Sequence, residues 1–247
     1  MSRRPRPRRV LAALLVAAGL LLLADAAVTL VWQEPVSALR AQRAQAGLEE
    51  ELRRLEAGEP AAGDRVAAGS DRERDVAAHR GAPAERRQTT AAQRRRVAGA
   101  ARRLDRRVPA GAAIGRLRIP AIGLRTVLVH GSAPADLRRG PGTIDGAPLP
   151  GARGTAAVAG HRTTYGGPLR DVDRLAPGDV VVAEMPYATL RYRVEGRRIV
   201  QPAEVAVLRR TGHDRLALVA CHPRFSAARR IVVLARLVST RLPATAS

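Results

Sequence analysis

The residues with the clearest capacity for chemistry lie in and around the stretch LALVACHPRFSAARRIVVLARL at 216–237. Cys221 is the only cysteine of the chain, and Arg230 follows it by nine residues. A thiol needs a base to become a nucleophile, and attack on an amide creates an oxyanion that needs a fixed donor or positive charge. His161, in AVAGHRTTYGG, offers an imidazole for proton transfer. The three form a complete set for acyl transfer; the alternative is a buried, inert cysteine.

Short β-branched segments separated by Gly, Pro and Asp turns must position these residues. About eight strands are expected from residue 112 onward: GRLRIP, LRTVLVH, GTAAVAG, GDVVVAEM, ATLRYRVEG, RRIVQPAEVAVL, RLALVAC and RIVVLARLV. Their spacing favours a mainly β closed barrel or a sandwich, with single helical turns in PADLRRGPG and GGPLRDVDRL. Cys221, Arg230 and His161 all lie at strand ends, where a rigid sheet presents side chains to a cleft.

The N-terminal part is predicted to anchor the chain in a membrane. Residues 1–9 form a basic tail, and the apolar run 10–32 is long enough to span a bilayer. Arginines before the run place the N-terminus in the cytoplasm and everything after it outside the cell membrane. A cleaved signal peptide ending near ADAA at 24–27 is the alternative.

A linker and a barrel domain are predicted to follow. Residues 33–110 contain a helix in SALRAQRAQAGLEEELRRLEAG and then a stretch too poor in large apolar residues to bury a core. That stretch is expected to be mostly disordered, with a transient helix in TTAAQRRRVAGAARRLDRR. The domain that carries the three reactive residues spans 111–243.

The net charge of +21 comes from arginine alone, since the chain has no lysine. A basic chain can bind nucleic acid, anionic lipid or an acidic polymer. The arginines are spread along the chain and lack interleaved aromatics, so we expect no nucleic-acid partner. The linker is read as solvated, with adhesion to wall polymers or lipid headgroups as the alternative. No carboxylates have the spacing of a calcium site, so no metal and no cofactor are expected.

The motifs resemble those of the sortases. The resemblance covers about Ile114 to Leu237 and includes LRIPAIGL, GPG, AVAGHRTTYGGPLRDVDRLAPGD, RYRV and the cysteine stretch, in the expected order. AGHRTTYGGPL with LAPGD is most similar to the class E sortases of high-GC Gram-positive bacteria. The resemblance implies a sortase β-barrel with His161 as the family histidine, Cys221 as the nucleophile and Arg230, rather than Arg229, as the family arginine.

The implied activity is cysteine transpeptidation at the cell surface. The Cys221 thiolate would cleave a C-terminal LPxTG or LAxTG-like sorting signal and form a thioester. An amine of peptidoglycan or of a pilin would then take the acyl group. His161 as imidazolium would protonate the leaving amine, and Arg230 would hold the substrate carbonyl and its oxyanion.

Two alanines depart from the family pattern. The family shows Thr-Leu-x-Thr-Cys, whereas this chain has Ala217 and Ala220 where the threonines stand. A catalytically impaired barrel that binds wall proteins or acts as a scaffold is therefore an alternative. An L,D-transpeptidase is disfavoured because Leu-Val-Ala, not Ser-His-Gly, precedes Cys221.

Three further residues are candidates for substrate binding. Tyr165 lies close to His161 in sequence, Ala220 directly precedes the nucleophile, and His130 ends a predicted strand in VLVHGSA. Loop-shaping or rim positions are the simpler interpretations of Tyr165 and His130. His222 is a poor base for Cys221, because neighbouring strand residues point to opposite faces.

Overall fold

The structure, a computed structural model, describes residues 15–21, 35–58 and 91–243. Its helices are α1 (15–21), α2 (Pro35–Gly58), α3 (Ala91–Arg107) and α4 (Pro134–Arg139). Its strands are β1 (Ala113–Ile119), β2 (Leu124–Val129), β3 (Gly142–Thr143), β4 (Thr155–Ala159), β5 (Val180–Met185), β6 (Ala188–Val200), β7 (Arg215–His222) and β8 (Arg229–Arg241). Short 3-10 helices span Pro120–Ile122, Val172–Arg174 and Val205–Leu208.

The eight strands close into a barrel in the order β1-β2-β3-β4-β7-β8-β6-β5. Pairing between β1 and β5 completes the ring. The β2–β3 and β4–β7 pairs are parallel, and the other pairs are antiparallel. Side chains alternate between the interior and the outer surface of the wall. The expected mainly β closed barrel is thus confirmed.

Two strand boundaries differ from those predicted. The segments ATLRYRVEG and RRIVQPAEVAVL were expected as two strands, but β6 runs unbroken from Ala188 to Val200. A bulge between Val194 and Gly196 accommodates the glycine, and the pairing with β8 continues beyond it. Val205–Leu208 is a 3-10 helix instead. The strand β3 was missed because two residues are too few to show a periodic pattern. The two expected helical turns are α4 and Val172–Arg174.

Helix α2 packs on the outer surface of the barrel. Leu48 and Leu52 are fully buried against three residues of β1 and β2, which are Ala113, Val127 and Val129. The side-chain oxygen of Gln45 accepts a hydrogen bond from the Val127 amide at 2.7 Å, and its amide group donates to the Arg139 carbonyl at 2.9 Å. The helix is therefore bound to the barrel by both apolar and polar contacts.

Ion pairs reinforce this contact. Arg116 of β1 pairs with Glu49 at 2.8 Å and with Glu56 at 2.6 Å, and Arg139 pairs with Glu51 at 3.0 Å. The Arg116 side chain is only 14% exposed, so its charge is poorly screened by solvent. The acidic residues of α2 thus meet arginines of the barrel.

Helix α3 differs from the transient helix expected in the linker. It buries one face, consisting of Val97, Ala98, Ala100, Ala101 and Leu104. Val97 and Leu104 belong to the same apolar cluster as the barrel interior residues Leu190 and Leu218. Its composition is too poor in large apolar residues to form a core alone, but the barrel supplies the missing partner surface. The helices within 33–110 are therefore packed parts of the fold, while 59–90 lies outside the described residues.

The predicted membrane span at 10–32 falls mostly outside the described residues, as does the basic tail at 1–9. Its described part is α1, which covers 15–21. Among the described residues, no helix combines the length and the apolar character needed to cross a bilayer.

The packing of α2 generates a stability prediction. Replacing Leu52 by Ala should lower the free energy of unfolding by about 2–5 kcal/mol, because removing most of a fully buried side chain leaves a cavity. Leu39, on the same helix, is 48% exposed, and Leu39→Ala should change the free energy of unfolding by less than about 0.5 kcal/mol. Denaturant unfolding of the full-length variants measures both. Equal effects of the two substitutions would contradict the docking of α2.

Candidate active site

Cys221 and Arg230 lie directly opposite each other in the antiparallel β7–β8 ladder. The next pair joins His222 to Arg229. Directly opposed residues carry their side chains on the same face of a sheet, and neighbours along a strand alternate. Cys221 and Arg230 therefore share a face, and Arg229 and His222 share the other.

His161 reaches the same face from the neighbouring strand. Parallel pairing of β4 with β7 matches Ala157 to Ala217 and Ala159 to Val219. The Gly160 amide then donates to the Val219 carbonyl at 3.0 Å. His161 lies two residues beyond Ala159, and Cys221 lies two residues beyond Val219. The register thus brings the histidine, the cysteine and the arginine to one end of three adjacent strands.

An apolar patch on the outer surface of the barrel borders these three residues. Its buried members are Ala157, Val200, Ala217, Val232 and Leu234, and this cluster is separate from the interior core. Val207 and Leu208, from the 3-10 helix between β6 and β7, pack against it. The site therefore lies on the outside of the barrel, beside this apolar patch.

A tight loop after β4 holds the His161 ring. Its Nδ1 atom lies 3.2 Å from Thr164 Oγ1, and its ring centroid lies 4.9 Å from that of Tyr165. Tyr165 has a positive φ of 50° and Gly167 one of 50°. A Cβ at position 167 would lie 2.8 Å from the Arg162 carbonyl oxygen, so this turn requires glycine. Tyr165, one of the expected substrate-binding residues, therefore contacts the candidate base.

The Nε2 atom of His161 is buried and has no hydrogen-bond partner among the described residues. A buried nitrogen without a partner is costly and rare, and active sites are one place where it occurs. Burial lowers the pKa of His161 below 6.5, and the positive charge of Arg138 on α4 lowers it further. The imidazole is therefore neutral at pH 7 and able to accept a proton.

The Cys221 thiol is partly exposed, as a nucleophile requires. The guanidinium of Arg230 bends toward the β7–β8 loop, where Nη1 donates to the carbonyls of Ala227 at 2.9 Å and Arg229 at 3.1 Å. These two hydrogen bonds fix the positively charged group beside the β7–β8 loop.

Two expected substrate-binding residues lie elsewhere. The Ala220 side chain is 3% exposed and belongs to the interior core, because it alternates with Cys221 along β7. His130 follows β2 and pairs with Asp105 of α3 at 3.2 Å. It lines a surface pocket of about 480 Å³ to which none of the three reactive residues contributes. Neither side chain is positioned to line a groove beside Cys221.

Sequence reasoning missed the contacts of Arg162 and Asp173. The guanidinium of Arg162 is buried and pairs with Asp173 at 2.6 Å. Burial alone would raise the pKa of Asp173, but the hydrogen bond and charge of Arg162 outweigh it and hold that pKa below its usual value. Asp173 lies in the short 3-10 helix Val172–Arg174. One arginine among the many of a basic chain carries no sequence signal that would single it out. In the described ranges, no group of His, Cys, Asp or Glu is suited to a metal ion.

Comparison with known proteins agrees with this geometry. The family model of the sortase domain matches residues 117–238. This part of the chain is a sortase domain. Sortase A of Bacillus anthracis is 30% identical over 129 residues, which cover 52% of this chain and 61% of that protein. Sortase SrtE1 of Streptomyces coelicolor is 30% identical over 97 residues, which cover 36% of this chain and 28% of that protein.

A solved sortase structure has the same barrel. Sortase E1 of Streptomyces coelicolor, with a tripeptide in the active site, superposes with a TM-score of 0.50 at 26% identity, covering 55% of this chain and 96% of that one. The chain spans less than two thirds of the length of the curated relatives it matches. The expected similarity to class E sortases agrees with these matches.

The surroundings of His161 predict a measurable electrostatic effect. Arg138→Ala should raise the pKa of His161, because it removes a positive charge that disfavours the imidazolium. Burial remains, so the pKa should stay below 6.5 in the variant. NMR titration of the His161 ring measures both values. Arg106→Ala, on the exposed face of α3, is the control; a similar shift in the control would contradict a local effect of Arg138.

Proposed function

We propose that the chain is a cysteine transpeptidase that cleaves sorting-signal peptides and transfers the acyl fragment to an amine. The observation that carries this proposal is the direct pairing of Cys221 with Arg230 across β7 and β8. The register of β4 with β7 adds His161 on the same face. Nucleophile, positive charge and base then lie together on three hydrogen-bonded strands, within a sortase domain.

The first half of the reaction acylates the cysteine. The neutral His161 takes the thiol proton on Nε2, and the Cys221 sulfur attacks the carbonyl carbon of the scissile amide. Positive charge on Arg230 stabilises the oxyanion of the tetrahedral intermediate. The C–N bond then breaks, and the His161 imidazolium gives its proton to the leaving amine. A thioester on Cys221 remains.

The second half transfers the acyl group. An incoming amine attacks the thioester carbon, and His161 accepts the proton that this amine releases. The oxyanion forms again beside Arg230. Its collapse breaks the C–S bond, the thiolate recovers a proton from His161, and a new amide leaves the site.

The proposed substrate is an LPxTG or LAxTG-like C-terminal signal, and the proposed acceptor is an amine of peptidoglycan or of a pilin. The tripeptide in the active site of Sortase E1 supports a peptide substrate for this domain as well. Val219, two residues before Cys221 on the same face of β7, is only partly buried at the edge of the apolar patch and offers an apolar contact to such a signal. Residues 10–32 are proposed to anchor the chain in the cell membrane, with the barrel outside.

The alternative is a barrel that binds wall proteins without turnover, as Ala217 and Ala220 would suggest. Both alanines lie in apolar clusters, where a methyl group needs no hydrogen-bond partner. The replacements therefore leave the packing of β7 intact, and turnover itself separates the two functions.

Replacing Cys221 by Ala tests the nucleophile. Full-length protein incubated with LAxTG and LPxTG peptides and an amine should give cleavage and a thioester detectable by intact-mass spectrometry. Cys221→Ala should abolish both, because no other thiol exists in the chain. Binding of the peptide by the wild-type protein without cleavage at any pH would favour the scaffold. Cleavage that persists in Cys221→Ala would exclude Cys221 as the nucleophile.

The strand register predicts which arginine serves the oxyanion. Arg230→Ala should lower kcat/KM about 10²–10³-fold, the usual loss when an oxyanion donor is removed. Arg229→Ala should change it by less than about threefold, because this side chain lies on the opposite face and is exposed. Steady-state kinetics on the same peptide compare the two. A larger loss for Arg229→Ala would reverse the assignment.

A further inference from the structure

Arg162 is the most completely buried arginine that the structure describes near the site. Its side chain is 2% exposed, and it directly follows His161 in the chain. A guanidinium cannot lose its charge in a protein. Burying one is therefore costly unless its N–H donors find hydrogen-bond acceptors and its charge finds a carboxylate. The groups that meet it show what this arginine holds together.

The Arg162 guanidinium joins three segments of the chain. Its Nη2 pairs with Asp173 Oδ2 at 2.6 Å, and its Nε donates to the Arg170 carbonyl at 3.2 Å. On its other side, Nη1 donates to the carbonyl of Cys221 at 3.4 Å and to His222 Nδ1 at 3.2 Å. The loop after His161, the segment 170–173 and the end of β7 are therefore connected by one planar group.

Arg224, in the β7–β8 loop, also binds the segment 170–173. Its Nη2 donates to the Arg170 carbonyl at 3.2 Å and to Asp171 Oδ1 at 2.8 Å. We call Arg162, Arg224, Asp171 and Asp173 the arginine clamp. The clamp therefore holds the chain at the Cys221 carbonyl and again at Arg224, three residues later.

The clamp lies beyond the last backbone hydrogen bond that joins the end of β4 to β7. Among the described residues, the last backbone hydrogen bond between the end of β4 and β7 runs from Gly160 to Val219. His161 and Cys221 both lie beyond it. The hydrogen bond from Arg162 to the Cys221 carbonyl is the next link between the two strand ends. The relative position of base and nucleophile thus depends on this side chain.

The contact with His222 also selects one tautomer of its ring. A guanidinium only donates hydrogen bonds, so His222 Nδ1 must accept the bond from Arg162. The contact therefore requires a His222 ring without a proton on Nδ1. This tautomer is an observable signature of the clamp that requires no substrate.

We propose that Arg162 is a positioning residue that sets the placement of Cys221 relative to His161. It acts through the Cys221 carbonyl and through its own place in the chain beside His161, and it touches none of the reacting atoms. The inference rests on the proposed acyl transfer by these two residues. A displacement of about 1 Å between reacting groups can cost about 10²-fold in rate, so a loose clamp lowers turnover.

The experiment compares Arg162→Lys with Arg174→Lys in the full-length protein. Both changes keep the positive charge, but only the first removes a buried guanidinium group. The Arg174 side chain is 72% exposed and pairs with Asp171 at 3.5 Å. Arg162→Lys should lower kcat for a sorting peptide by at least about tenfold with KM changed less than about twofold. Arg174→Lys should leave both within about twofold. A folded Arg162→Lys variant with wild-type kcat overturns the proposal.

Two further measurements do not need peptide turnover. Alkylation of Cys221 by iodoacetamide at pH 7 should be slower in Arg162→Lys than in Arg174→Lys, because a displaced His161 no longer takes the thiol proton. If the wild-type protein cleaves no peptide, the acyl-transfer proposal fails while this comparison still tests the clamp. Nitrogen-15 NMR of the wild-type His222 ring should show Nδ1 without a proton. Equal alkylation rates in the two folded variants overturn the role of Arg162. If the lysine variant unfolds, a protonated Nδ1 in the wild-type protein still overturns the clamp, because Arg162 then cannot donate to His222.

Discussion

The site depends first on the register of the β7–β8 ladder. Cys221 lies opposite Arg230 because eight consecutive residue pairs of the two strands are in step. A slip by one residue would move Arg230 to the other face and bring Arg229 to the thiol. The closed barrel opposes such a slip, since each strand is hydrogen-bonded on both edges and has a buried interior face. The chemistry is thereby tied to the pairing of the whole wall.

A second layer of interactions places the base and adjusts its charge. The parallel β4–β7 pairing carries His161 to the level of Cys221, and the glycine turn after it fits the ring against Tyr165. Burial and the charge of Arg138 then keep the imidazole neutral at pH 7. Among the arginines that the structure describes, Arg162 is buried, and the carboxylate of Asp173 offsets its charge.

The helices before the barrel change the picture of a separate linker. The stretch 91–107 has too few large apolar side chains to fold by itself, yet its small residues fit closely against the barrel interior. On α2, Leu48 and Leu52 form a narrow apolar stripe, flanked by glutamates that meet Arg116 and Arg139. Such faces become recognisable only once the surface they contact is known.

Local sequence patterns predicted a mainly β barrel or sandwich with most of its strands, and they singled out His161, Cys221 and Arg230, which the strand register brings to one end of three adjacent strands. Strand periodicity and residue chemistry depend on near neighbours, so they can be read along the chain. Tertiary structure alone decided that β6 is one strand, that Ala220 faces the core and that His130 pairs with Asp105. It alone revealed the arginine clamp, because Arg162 and Cys221 are 59 residues apart in the chain. Contacts of that range depend on how strands pair in space, which no local pattern records.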